Sequence, residues 1–338
     1  MNRSTKRLAL IGADNLLGRE IKEVLEAAHG AAHIESFASN GEANFGEEEG
    51  EAVYRQAVTP ETLGNADAVI LAGSPEGSAK ALAAVKGLPA PVKIIDCTGT
   101  LDQEANARIF APWIDEALPH EQIVVVAHAA AAALALLLSR LSSYHSIARA
   151  VFEIFEPASE QGSLGIAELQ QQTTNLLSFK ALEKKTYDAQ VSFAMLPAYG
   201  SDAAISLATI EQRVERHLAT ILARLIHKGN VVAMPSLRVM QAPVFHGYSI
   251  SGWIEFEKLA HADEVEAALS SPEIDVRTGD QEAPTNVGVA GQSGLTVGDI
   301  RVDRNNPRAV WIWAAADNLR IIADGVAAIA GQVNGNAK

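Results

Sequence analysis

The chain is 338 residues long, which at roughly 150 residues per domain points to two domains, and its 48% hydrophobic content suits a folded globular protein. Its 41 acidic side chains against 27 basic ones leave a formal net charge of −14, which repels a phosphate backbone; no basic patch offsets it, so nucleic acid is excluded as a partner. The single cysteine, Cys97, excludes an intrachain disulfide and a cysteine-rich metal module, and no metal site is expected. The start, Met1 to Arg7, is polar and basic, and the apolar run Leu8–Ile11 is too short for a signal peptide. The longest apolar run, Ile123–Leu138, contains His128 and falls short of the ~20 residues that span a bilayer. A cytoplasmic protein without membrane association is expected.

Leu8–Ile11 meets Gly12, and from Leu17 the apolar residues Leu17, Ile21, Val24, Leu25 and Ala28 recur at helical spacing, which predicts a strand and then a helix. Strand-like runs return at His33–Phe37, Val53–Val58, Ala68–Leu71, Val92–Ile95 and Ile123–Val126, with helical stretches between several of them, as at Ser78–Lys86. That rhythm predicts a parallel sheet covered by helices. Glu47–Glu51 reads as an acidic, solvated loop. Helices are predicted over Ala129–Leu141, Ile166–Leu177 and Glu211–Lys228, the last with Arg and His on its polar side. Val244–Glu257 and Ala309–Ala316 are long strand candidates rich in aromatic and β-branched residues, and Asn318–Ile329 is a final helix. Long strands following helices predict a mixed α+β second domain.

The strongest local signal is Gly12-Ala13-Asp14-Asn15-Leu16-Leu17-Gly18, between the first strand and the first helix. A glycine-rich turn there lets backbone N–H groups and a helix N-terminus face phosphates. Asn15 stands where close approach needs a middle glycine, so the turn reads equally as a dinucleotide cradle or as a structural connection. The chain has no GxxxxGK[ST] phosphate loop, HExxH zinc helix or GxSxG nucleophile elbow. His128 and His217 read as surface or hydrogen-bonded core residues. Cys97 reads as a small buried hydrophobe, because no sequence neighbour would lower its pKa.

Five segments follow one another in a recognisable order. Gly12–Gly18 is followed by Ile94–Thr98 (IIDCT), then by Ser159–Thr173 with Ser159, Gly162, Gly165, Leu169, Gln172 and Thr173. Ala242–Ser249 (APVFHGYS) and Asp317-Asn318-Leu319-Arg320 complete the series. In these motifs and their separations the chain resembles the aspartate-semialdehyde dehydrogenase family over essentially its whole length, and within it the Usg-like paralogues. The resemblance implies an α/β fold: a Rossmann-like NAD(P)-binding-type domain of residues 1–127 plus 317–338, and an α+β dimerisation domain of residues 128–316. It implies a cofactor site at Gly12, Asp14, Asn15, Leu16, Leu17, Gly18, Ser39, Gly73, Ser159, Gly162 and Asn318. It also implies a homodimer and a setting in amino-acid biosynthesis.

Family members reduce aspartyl phosphate with NADPH through a covalent thioester, which needs a cysteine thiolate, a histidine to manage its proton, and basic groups to hold anions. In this chain the nucleophile segment matches Ala127–Ala133, so Ala129 or Ala130 takes the cysteine's place. The family's histidine becomes Tyr248, its arginine before Val-Pro-Val becomes Gln241, and its acyl-positioning glutamine becomes Glu156. The phosphate-holding arginine becomes Asp102, an acid that would repel an acyl phosphate. The resemblance therefore points to a non-catalytic paralogue that keeps the fold and the dimer, and that can also pair with an active family member. A second reading is an NAD(P)-dependent oxidoreductase acting on an aldehyde, oxo or acyl-phosphate substrate without a cysteine, with Tyr248 as proton donor and Glu156 as base. The Arg-Ser pair that clamps the 2′-phosphate in the family is replaced by Ala38-Ser39-Asn40-Gly41-Glu42, so NADP should lose to NAD, or neither should bind well.

Overall fold

The computed structural model describes residues 6–28, 32–48, 50–116, 120–227 and 232–333. Expectations at Met1–Thr5, Glu49 and Lys228 lie outside these residues. Two compact units emerge, Met1–Ala127 with Ile322–Lys338, and His128–Ile321.

The first unit runs β1 (Arg7–Ile11), α1 (Leu16–Ala28), β2 (His33–Phe37), β3 (Asn44–Glu48), β4 (Glu51–Arg55), α2 (Pro60–Leu63), β5 (Ala68–Leu71), α3 (Pro75–Lys86), β6 (Lys93–Asp96), β7 (Ala107–Phe110) and β8 (Ile123–Val126). Six strands pair in parallel in the order β2-β1-β5-β6-β8-β7. Each residue of β5 is buried, as expected of a short apolar strand covered on both faces. Ile21, Val24 and Leu25 turn one face of α1 into the core. Helix α3 starts where Ser74 Oγ accepts the Gly77 N–H, with Pro75 in the first turn.

Two expectations in this unit are corrected. The strand read at Val53–Val58 is Glu51–Arg55, and it lies outside the parallel sheet, pairing antiparallel with β3. Glu47 and Glu48 end β3 and Glu51 opens β4, so the acidic run read as a loop also supplies strand ends, and Gly50, with a φ of 85°, lies in the turn between them. The cross-strand pair Phe45–Tyr54, with ring centroids 5.0 Å apart, supports this hairpin.

The second unit holds α4 (Ala129–Tyr144), β9 (Ile147–Glu156), a 3₁₀ turn (Ala158–Gln161), α5 (Gly162–Leu177), α6 (Leu207–His227), β10 (Ser236–Gln241), β11 (Tyr248–Phe256), α7 (Ala262–Leu269), β12 (Ile274–Val276), β13 (Leu295–Asp303) and β14 (Asn306–Ala316). The final helix, α8 (Asn318–Gln332), opens in this unit and belongs to the first from Ile322 onward. The mixed sheet has the order β10-β9-β11-β14-β13-β12. Along β9, Ala150, Phe152, Ile154 and Glu156 are buried, while Arg149, Val151 and Glu153 face outward. Helix α4 packs on β9 and α6, and α6 on β10. The open face carries Val151, Trp253 and Trp311 side by side in register across β9, β11 and β14.

Two more expectations change here. The strand read from Val244 begins only at Tyr248, because the Val244 and Phe245 carbonyls accept the N–H groups of Ala158 and Ser159 instead. Gly247, with a φ of 79°, then turns the chain; a Cβ there would sit 2.7 Å from the Asn286 carbonyl oxygen. On α6 His217 is not on the polar side, since it is fully buried, as are Val214, Leu218 and Ile221. Among the described residues no helix is long and apolar enough to cross a membrane, and no three His, Cys, Asp or Glu side chains gather as metal ligands would.

Candidate functional site

In the first unit the sheet order reverses at β1, with β2 on one side and β5 on the other. Ligands of open α/β sheets bind at the carboxyl ends of strands at such a point. Gly12, Asp14, Asn15 and Gly18 meet Ser39 and Gly73 there. Gly12 has a φ of 100°, and a Cβ on it would sit 2.6 Å from the Ala72 backbone, so only glycine suits the turn. Leu16 and Leu17 open α1, half-buried.

The polar groups of this turn satisfy one another. Asn15 Nδ2 donates to the Ala72 carbonyl at 2.6 Å and to Ser39 Oγ at 3.1 Å, and its Oδ1 accepts the Gly18 N–H at 2.8 Å. Asp14 Oδ1 accepts both the Ser39 N–H and the Ser39 hydroxyl, at 2.7 and 2.8 Å. Beyond β2, Lys80 binds Glu42, Glu76 at 2.8 Å and the Asn40 carbonyl at 3.1 Å, and its ammonium pKa is raised by hydrogen bonds to Glu42 first and Glu76 next. A phosphate entering this turn would meet the Asp14 carboxylate and find the Gly18 N–H already engaged.

After β6 the Asp96 carboxylate, fully buried, accepts the N–H groups of Thr98, Gly99 and Leu101 and the Thr98 hydroxyl. Cys97 follows, also buried. Asp102 lies in the turn that follows, its N–H donating to the Gly99 carbonyl at 3.4 Å.

The second unit contains a buried polar cluster around the start of α4. Ala129 and Ala130 are the helix's first two residues, and the whole run Ala129–Ala133 is buried. His128 Nδ1 accepts the Ala130 N–H at 3.3 Å, capping the helix, while the His128 N–H donates to His217 Nδ1 at 2.9 Å. In the neutral imidazole the proton of His128 therefore sits on Nε2, which lies 3.9 Å from Glu160 Oε2. Burial first, then the Arg213 charge and His217, hold the His128 pKa well below its ordinary value.

Asn318 ties three segments of this unit together. Its Oδ1 accepts the Ser159 hydroxyl at 3.1 Å and the Gly247 N–H at 3.2 Å, and its Nδ2 donates to Glu160 Oε1 at 2.9 Å. Gly162 begins α5 immediately after. Tyr248 is fully buried at the start of β11, with its phenol toward Glu160; burial, then Glu160 and Glu156, push its pKa up. Glu156 and Gln241 end β9 and β10 directly opposite each other. Tyr199 Oη lies 2.7 Å from Gln241 Oε1 and 3.2 Å from Glu156 Oε1. Burial raises the pKa of both Glu156 and Glu160; the Glu160 charge adds to it at Glu156, while Tyr248, Asn318 and Arg213 oppose it at Glu160.

The inferred cofactor residues thus fall into two groups. Gly12, Asp14, Asn15, Gly18, Ser39 and Gly73 meet at the turn of the first unit, whereas Ser159 and Asn318 join Glu160 in the second. Glu160, Tyr199 and Arg213 belong to the second cluster although sequence reasoning missed them, and His217, read as a surface or hydrogen-bonded core residue, is buried and hydrogen-bonded there. The four-residue spacings Glu156–Glu160 and Arg213–His217 are the only local signs of it.

A family model described as semialdehyde dehydrogenase, dimerisation domain, matches residues 141–321. The chain is 31% identical over 163 residues to a USG-1 protein homolog of Pseudomonas aeruginosa, covering 48% of this chain and 47% of that protein. It is 30% identical over 190 residues to an aspartate-semialdehyde dehydrogenase of Rickettsia bellii, covering 55% of this chain and 54% of that one. The chain spans about half the length of the curated relatives it matches. Aspartate semialdehyde dehydrogenase II from Vibrio cholerae shares the fold, with a TM-score of 0.81 at 22% identity over 96% of this chain and 97% of that one.

Proposed function

The chain belongs to the semialdehyde dehydrogenase family, and we propose that it is a non-catalytic member that keeps the fold and a homodimer without the thioester chemistry. The observation that carries this reading is the start of α4, where Ala129 and Ala130 are buried and the whole run Ala129–Ala133 offers no nucleophile. A thioester needs a thiolate, a proton acceptor and anion clamps; Ala129 or Ala130, Tyr248, and Gln241 with Asp102 stand in those roles. Losing them together removes the mechanism rather than weakening it.

Dinucleotide binding, to NAD or NADP, is weak or absent in this reading, supported by the way Asp14 and Asn15 close the turn on themselves. The alternative is an NAD(P)-dependent oxidoreductase without a cysteine, with Tyr248 as proton donor and Glu156 as base; burial, then the Glu160 charge, raise the pKa of Glu156. The row Val151, Trp253 and Trp311 on the open face of the mixed sheet supports association with a second copy, and an active family member is a further candidate partner. The test is phosphate-dependent reduction of NADP with aspartate semialdehyde. The purified chain is expected to show none above a heat-killed control, and saturable turnover would refute the reading.

A further inference from the structure

The amide of Gln241 has one orientation. It is buried, and its Nε2 donates to the carbonyls of Glu156 and Ala242 at 2.9 and 2.8 Å. Turned round, its oxygen would face two other acceptors. Gln241 Oε1 therefore points at Tyr199, whose hydroxyl is 2.7 Å away and supplies the donor. A phenol has a single proton, and here it is used. Glu156 Oε1 still lies 3.2 Å from the same phenol oxygen, and that contact is a hydrogen bond only if the carboxyl carries the proton. Glu156 Oε2 is buried and receives no hydrogen bond, a poor place for a carboxylate charge.

The groups facing Glu156 are Glu160 and Gln161 from the 3₁₀ turn, Tyr187 and Tyr199 from residues 178–206, and Tyr248 from β11; the Gln161 side chain favours the charged form but is outweighed by burial and the Glu160 charge. None of these is a cation; Arg213 of α6 is set against Glu160, Tyr248 and His128 instead. Tyr199 belongs to residues 178–206, the stretch between α5 and α6, which is also fastened to β10 by paired backbone hydrogen bonds between Leu196 and Gln241, both 3.0 Å.

We infer that Glu156 is a neutral carboxylic acid whose O–H donates to Tyr199, so that the chain Glu156–Tyr199–Gln241 is a proton-dependent clasp holding residues 178–206 on the edge of the mixed sheet. Ionising Glu156 leaves the single phenol proton of Tyr199 to serve two acceptors, Glu156 Oε1 and Gln241 Oε1, so one of the two contacts loses its hydrogen bond and the clasp opens. Glutamine at the same position would present an N–H at any pH. The inference does not depend on the proposed function.

Carbon-13 labelling of the glutamate side-chain carboxyls tests it in the full chain. NMR at pH 7 is expected to show a carboxyl with the shift of a protonated acid that is missing from Glu156→Gln; spectra in which all glutamates are ionised would overturn the inference. Hydrogen exchange tests the clasp. With intrinsic rates corrected, protection of residues 178–206 is expected to fall as pH rises in the wild type and to stay level in Glu156→Gln. Tyr199→Phe, which removes only a hydroxyl, is expected to lose protection there at every pH. Identical profiles for wild type and Glu156→Gln, or full protection in Tyr199→Phe, would overturn it.

Discussion

Asp14 and Ser39 are locked to each other: one carboxylate oxygen takes both the backbone N–H and the hydroxyl of Ser39, at 2.7 and 2.8 Å. The pair spans the crevice where strand order reverses, and it places a negative charge where a dinucleotide would place its own.

A thermal-shift titration with NADPH, NADP, NADH and NAD in separate wells is therefore expected to show no saturable stabilisation. A ligand at a hundred times its dissociation constant would add ~2.7 kcal/mol, which a melting curve resolves. The double variant Asp14→Ser/Asn15→Gly, which frees the Ser39 and Gly18 donors, is expected to gain a shift with at least one nucleotide. A saturable shift in the wild type would contradict the reading of the turn.

Asp96→Asn tests the turn after β6. The buried carboxylate accepts four hydrogen bonds, and an amide must turn an NH₂ group toward one or more of those donors. The expected loss is about 1–3 kcal/mol, read as a lower denaturant midpoint. An unchanged midpoint would show that the donors find other partners.

His128 gives stability an acid limb. The folded protein holds the imidazole neutral, while the unfolded chain protonates it at its ordinary value of 6.5. Stability from this source is present above pH 6.5 and is lost as pH falls toward the depressed folded value. His128→Asn keeps a capping side chain and removes the titration, so its stability is expected to fall less steeply between pH 6.5 and 5. Parallel curves for the two proteins would contradict this.

Trp311 is 40% exposed on the open sheet face, directly opposite Trp253. Light scattering at micromolar concentration is expected to give the mass of two chains for the wild type and of one for Trp311→Glu. A wild-type mass of one chain would refute the homodimer.

Much of the fold was legible where the physics is local. Ala68–Leu71 and Ile123–Val126 are apolar at every position, so their place inside a parallel sheet could be read directly. Strand β9 escaped notice although Ala150, Phe152 and Ile154 alternate with Arg149, Val151 and Glu153. Strand β13 is harder, because Asp299 has a φ of 48° and the register shifts beside it. The family positions at Ala129, Ala130, Glu156, Gln241 and Tyr248 came from resemblance, not from any pattern in the chain. Their partners Tyr199, Arg213 and His217 are distant in sequence and meet them only once the unit is folded, so the four-residue spacings Glu156–Glu160 and Arg213–His217 are the only local signs of the cluster. The closure of the nucleotide turn was half legible: Asn15 stood out as a misfit, but its bond to Ala72 and the bonds of Asp14 to Ser39 required the neighbouring strand ends.

The most direct test of the central claim is intact-protein mass spectrometry after the chain is incubated with aspartate semialdehyde and NADP, without phosphate, and quenched in acid. A family member that forms the thioester gains the mass of an aspartyl group on a cysteine and loses it when phosphate is added. The unmodified mass is expected under both conditions. A phosphate-sensitive adduct on any residue of this chain would contradict it.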